Sequence, residues 1–120
     1  MNYESWLERE SSTTPGVTFV LAKMSFGRRI ELMRRLREIA QKVEFLEAGD
    51  TREKIEAALL TSEIDRLYVM WGLKEVRGLE LDGDPATPEL LAAAGPEELF
   101  REAVATVKAE CGLTETERKN

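Results

Sequence analysis

The chain contains no histidine. That removes the commonest general base and the commonest metal ligand. It contains one cysteine, Cys111. A lone thiol forms no internal disulfide, which fits a reducing compartment, and without a histidine to activate it the thiol is a poor nucleophile. Near the end of an amphipathic segment, Cys111 reads as a packing residue. No uncharged apolar run approaches the length that crosses a bilayer. The opening "MNYESWLERE" is acidic and has no apolar centre, so it does not read as a secretory signal. A phosphate-cradling glycine loop, a nucleophile elbow and zinc spacing are all missing. Glu80, Asp82 and Asp84 crowd one turn, but their spacing is not that of a calcium loop, and a solvated hairpin explains them better. These absences point away from an enzyme, and no cofactor or metal site is expected.

What is present is charge and helical periodicity. The composition is 42% apolar and 33% charged, a balance typical of amphipathic helices and unlike that of disordered chains. A length of 120 residues suits one compact domain. The net charge of −6 repels nucleic acid and anionic membranes on average. The expected location is the cytoplasm.

Residues 1–15 read as an N-terminal arm. Tyr3, Trp6 and Leu7 have helical spacing and are followed by the polar linker "SSTTP". "GVTFVLAK" is rich in β-branched and aromatic residues and reads as a strand. Ser25 is placed to cap a helix from about Phe26 to Ala48. In that helix Leu32, Leu36, Ile39, Val43 and Leu46 recur at steps of four and three, flanked by Met33. This is a narrow seam for packing against another helix. Gly49 stops the helix, and Asp50 with Glu53 approximates a capping box for the next. Leu60, Ile64, Leu67, Tyr68 and Trp71 line one face of that second helix, and Gly72 closes it. The short connection predicts an antiparallel pair.

"RGLELDGDPATP" predicts a small hairpin around Asp-Gly, with Gly78 to Leu81 a candidate partner for the first strand. Thr87-Pro88-Glu89 opens a short helix that ends at Gly95. Pro96 restarts another, with Leu99, Phe100, Ala103, Val104 and Val107 as its buried stripe, and Gly112 ends it. The expected architecture is mainly α with a minor β part. It comprises an antiparallel two-helix hairpin, short C-terminal helices, a small N-terminal strand and a short β-hairpin. One domain spans 16–112, and 113–120 is a polar tail.

Five arginines crowd the first long helix: Arg28, Arg29, Arg34, Arg35 and Arg37. A nucleic-acid surface would keep such a face free of carboxylates. Here Glu31 and Glu38 are interleaved at ion-pairing offsets, which favours a solvated, salt-bridged scaffold helix. Trp6, in an arm with few local partners, is a candidate docking residue. Trp71 and Phe100 are candidate members of an aromatic patch, although core positions suit them better.

The order of parts is also similar to a known family. Gly16-Val17-Thr18 leads into a helix that carries Arg29-Ile30-Glu31-Leu32 near its start. A second long helix ends in Trp71, and Gly78-Leu79-x-Leu81-Asp82-Gly83-x-Pro85 follows. The chain closes on Leu113 to Asn120, "LTETERKN". This layout resembles the tail assembly chaperones of long-tailed bacteriophages and prophages. The resemblance covers most of the chain from Gly16 onward, without a strict motif. It implies a non-enzymatic protein that binds the helical tape measure protein until the tail tube protein polymerises around it. It also implies a longer form made by translational frameshift, and Arg118-Lys119-Asn120 can be encoded by a slippery heptamer. Expected partner contacts are Trp6, Phe19, Leu21, Trp71 and Phe100, and self-association into a homo-oligomer is compatible with exposed seams. Two alternatives stay open. One is a small nucleic-acid-binding regulator using the five arginines. The other is a structural phage component such as a head–tail connector.

Overall fold

A computed structural model describes residues 1–114 and Glu117. Most of the polar tail, including Arg118, Lys119 and Asn120, therefore lies outside the described residues. The elements run β1 (Trp6–Glu10), β2 (Thr18–Ala22), α1 (Phe26–Glu47), α2 (Thr51–Gly72), β3 (Leu73–Arg77), β4 (Glu80–Leu81), β5 (Asp84–Pro85), α3 (Pro88–Ala94) and α4 (Glu97–Cys111). The class is mainly α with a minor β part, as the periodicities predict.

Local chemistry sets the element ends. Ser25 Oγ accepts from the Arg28 backbone N–H and starts α1. Asp50 and Glu53 form a reciprocal capping box at the start of α2, where Asp50 Oδ1 accepts from Glu53 N at 2.9 Å. Thr87 Oγ1 accepts from Leu90 N, with Pro88 in the first turn of α3. At the β4–β5 turn both Asp82 and Gly83 have positive φ, 52° and 87°, the conformation that Asp-Gly accommodates in a tight hairpin.

The sheet differs from expectation in two places. Trp6 to Glu10 is a strand and not a turn of helix; it pairs antiparallel with β2, from Trp6 opposite Ala22 to Glu10 opposite Thr18. The other neighbour of β2 is Leu73–Arg77, and not Gly78 to Leu81, so the order is β1-β2-β3. A central strand with one partner would leave its other row of N–H and C=O groups unpaired, and both edges are filled here. The β2–β3 register slips by one residue. Val20 faces Glu75 and Leu21 faces Leu73, which leaves Lys74 as the extra residue of a bulge.

Alternate residues of β2 enter the core. Phe19 and Leu21 are each 1% exposed and belong to one cluster with Leu32, Leu36, Tyr68, Val69, Leu91, Leu99, Ala103 and Val107. Val20 lies on the other face of the sheet. Its register neighbours are Glu8 and Glu75, and Arg77 pairs with both carboxylates, so the guanidinium spans β2. The core is concentrated at one end of the α1–α2 hairpin. Its fully buried residues in α1 are Leu32 and Leu36, and three of the four in α2 are Tyr68, Val69 and Gly72. A 22-residue helix is about 33 Å long, so the far half of the hairpin projects from the core in a molecule measuring 45 × 40 × 20 Å.

The β1–β2 connection is pinned to α4. The Glu102 carboxylate accepts from Ser11 Oγ (2.6 Å), Ser12 N (2.8 Å), Ser12 Oγ (2.8 Å) and Thr13 Oγ1 (2.8 Å). Burial pushes this carboxyl up, but the four hydrogen bonds outweigh it and lower it from 4.5 to about 2. The folded value lies below the unfolded one, so the clamp contributes fully above pH 4.5 and is lost as pH falls toward about 2.

Two outcomes follow from these contacts. Glu102→Gln is expected to cost about 1–2 kcal/mol at pH 7, and the gap from the parent should narrow as pH drops from 4.5 toward 2. Urea unfolding of both proteins across that range measures it. Gly78 has φ +80°, and a Cβ there would fall on the Gly16 carbonyl oxygen. Gly78→Ala is expected to cost about 2–4 kcal/mol, read as a lowered urea midpoint with an unchanged slope.

Candidate functional site

The projecting half of the hairpin leaves several large apolar side chains in solvent. Beyond Leu36, α1 has no fully buried residue. Its seam residues Ile39, Val43 and Leu46 are half-buried, because only one neighbouring helix is there to cover them. Phe45 is 75% exposed, Ile55 60% and Leu59 65%. Ile55 and Leu59 are four residues apart, so they stack on one face of α2.

Between the two helices at this end lies a groove of about 640 Å³. Gln41, Phe45 and Leu46 of α1 and Leu60 of α2 line it, with Glu38, Lys42 and Glu56 around them. An apolar floor with charges of both signs at its rim is the surface that an amphipathic helix requires. The capping box braces the turn beneath it. Glu53 also lies over Gly49, where a Cβ would come within 2.5 Å of the Glu53 carboxyl carbon.

The residues expected at a partner surface are scattered. Phe19 and Leu21 are consumed by the core, since the sheet buries alternate residues of its central strand against the helices. Trp6 is half-buried on β1, opposite Ala22. Phe100 is half-buried at the core's edge, beside Ser62, Asp65 and Arg101. Trp71 is half-buried at the opposite end of the hairpin from the groove. Phe45, Ile55 and Leu59 escaped the sequence reading because they lie off the seam. The available signal was a second apolar row on α2, Ile55 and Leu59, out of phase with Leu60 and Ile64.

The five arginines do not form one face. The Arg28 guanidinium stacks 4.0 Å from the centre of the Trp71 ring and donates through Nη2 to the Trp71 carbonyl at 2.5 Å. Arg29 pairs with Glu117 at 3.3 Å and reaches the Cys111 carbonyl at 3.4 Å. The Glu117 carboxyl is held below its usual range, first by the Thr114 backbone N–H and further by Arg29. Arg35 pairs with Glu31 at 2.7 Å across one helical turn. Arg34 and Arg37 are exposed.

Burial pushes the Cys111 thiol up to about 11, against the pull of Arg28 and Arg29, so the thiolate nucleophile is scarce at neutral pH. Among the described residues no three His, Cys, Asp or Glu side chains gather in a way that would hold a metal ion. No described helix is long and apolar enough to cross a membrane. Comparisons of the chain with protein-family models, with curated proteins and with solved structures find no match.

Proposed function

We propose that this chain is a non-enzymatic assembly chaperone that holds an amphipathic helix of a partner in the groove at the tip of its helical hairpin. The partner in this reading is the tape measure protein of a long-tailed phage or prophage, with release to the tail tube protein as the tail polymerises. The observation that carries it is the groove's apolar lining, Phe45, Leu46 and Leu60, with Phe45 75% exposed, on a hairpin whose turn is braced by Asp50 and Glu53. Two helices alone cannot cover their own seams, and a third helix laid in the groove would. A side chain such as Phe45 contributes roughly 1.5–3 kcal/mol when fully buried, which the ordering cost of association partly offsets. The layout that resembles tail assembly chaperones supports the choice of partner.

A nucleic-acid role is the weaker reading. Three of its five arginines, Arg28, Arg29 and Arg35, already have partners within the chain.

Co-expression with the tape measure protein of the same genome tests the proposal. The parent chain is expected to co-purify with it. Phe45→Glu is expected to abolish co-purification while leaving the thermal midpoint within about 2 °C, because that side chain lines the groove and is exposed. No complex with the parent, or a complex that the variant forms equally well, overturns it.

A further inference from the structure

The base of the hairpin holds a second cavity, of about 420 Å³, with a different chemistry. It opens where the end of β2, the first turn of α1, the last turn of α2 and the start of β3 converge. Lys23, Arg28 and Lys74 line it, with the Tyr3 and Ser5 side chains and the Trp71 indole. No carboxylate lines it among the described residues, in a chain of net charge −6. The groove at the tip, by contrast, has Glu38 and Glu56 at its edge.

Three placements gather the cations there. The β-bulge makes Lys74 the unpaired residue of β3, and bulges re-aim a side chain beside a site. The Trp71 ring fixes the Arg28 guanidinium at 4.0 Å. The Tyr3 ring holds Lys23 Nζ at 4.9 Å. The first turn of α1 has no acidic residue to offset its positive helix end. Arg28 and Trp71 also carry buried donors, Nε and Nε1, that find no acceptor among the described residues.

We propose that this cavity receives the carboxylate of an aspartate or glutamate side chain presented by an acidic polypeptide segment. A carboxylate is acceptor-only and offers two oxygens, matching the Lys23 and Lys74 ammonium groups beside the Arg28 guanidinium. Its methylene stem suits the apolar part of the wall, Met70 and the Trp71 ring, against which a fully hydrated inorganic anion gains nothing. The site is about 20 Å from the tip groove along the hairpin and does not rest on the reading given to that groove.

Trp71 is its own reporter. In a Trp6→Phe chain it is the only indole. Titrating that full-length chain with poly-L-glutamate is expected to give a saturable change in Trp71 emission that weakens with salt. Lys23→Met with Lys74→Met should lower the affinity roughly tenfold without moving the thermal midpoint, and Lys74→Met alone serves if the pair does not fold. Phe45→Glu should leave the titration unchanged. Acetate and inorganic phosphate form the comparison arms. Competition by acetate only at far higher concentration supports a polypeptide source. No emission change with poly-L-glutamate, or equal binding by the lysine variants, overturns the proposal. So does a signal saturated by phosphate alone at a lower concentration than poly-L-glutamate, which would make the cavity a phosphate site, and one saturated by acetate as readily, which would make it a site for free carboxylates.

Discussion

The close approach of α4 to the last turn of α2 is the contact on which the rest of the arrangement depends. At Gly72 a Cβ would come within 2.5 Å of Val107 Cγ1, so the glycine lets the α4 side chain seat against α2. Around it Tyr68, Val69 and Val107 are each at most 2% exposed. Lys108 extends the same contact outward, pairing with Asp65 at 3.2 Å and lying over the Tyr68 ring. The next residue after Gly72 is the first of β3, with no turn between, so the packing that fixes the end of α2 also fixes the sheet. A side chain at position 72 would have to push α4 away, and the sheet register would lose its reference.

Anchoring a long hairpin at one end has a cost and a use. The apolar seam continues past the core, so Ile39, Val43 and Leu46 are covered by a single helix and remain half-buried. Stability there comes from caps and from the neighbouring helix, with no third layer behind. The same geometry holds an apolar surface well away from the sheet, where a partner can approach both helices at once. Charge separates the two ends. The tip groove is rimmed by both signs, and among the described residues the charged side chains at the base cavity are all cations.

The parts legible in the sequence are those set by neighbours along the chain. Ser25, Asp50 with Glu53, Asp82-Gly83 and Thr87-Pro88 act within a turn, and each boundary stands close to where its chemistry puts it. The strands β1 and β3 were hidden for a physical reason. Trp6 and Leu7 become strand residues only because the edge of β2 needs hydrogen bonds. In β3 the buried residues are Leu73 and Val76, three apart, and only the bulge at Lys74 makes that spacing compatible with one sheet face. Period-two alternation therefore never shows in "LKEVR". The exposed apolar residues were obscured differently: Phe45 lies off the α1 seam, and Ile55 and Leu59 form a row out of phase with Leu60 and Ile64, so no core-facing pattern picks them out.

The arginine-rich stretch shows why composition along a helix is a poor guide to its surface. Arg28 and Arg29 are adjacent, but they are a helical step of 100° apart and meet different partners: an indole and carbonyl of α2 for one, the C-terminal end of α4 and Glu117 for the other. Both tie the start of α1 to segments far along the chain. Arg35 balances Glu31 one turn away and contributes only a few tenths of a kcal/mol in water, roughly 0.3–0.5. So within one run of like residues two act as long-range ties and one as a local surface pair. Stacking on Trp71 is what converts Arg28 from a solvated charge into a fixed one, and a fixed cation at the meeting point of two helices and two strands is what gives the base of the hairpin its own chemistry.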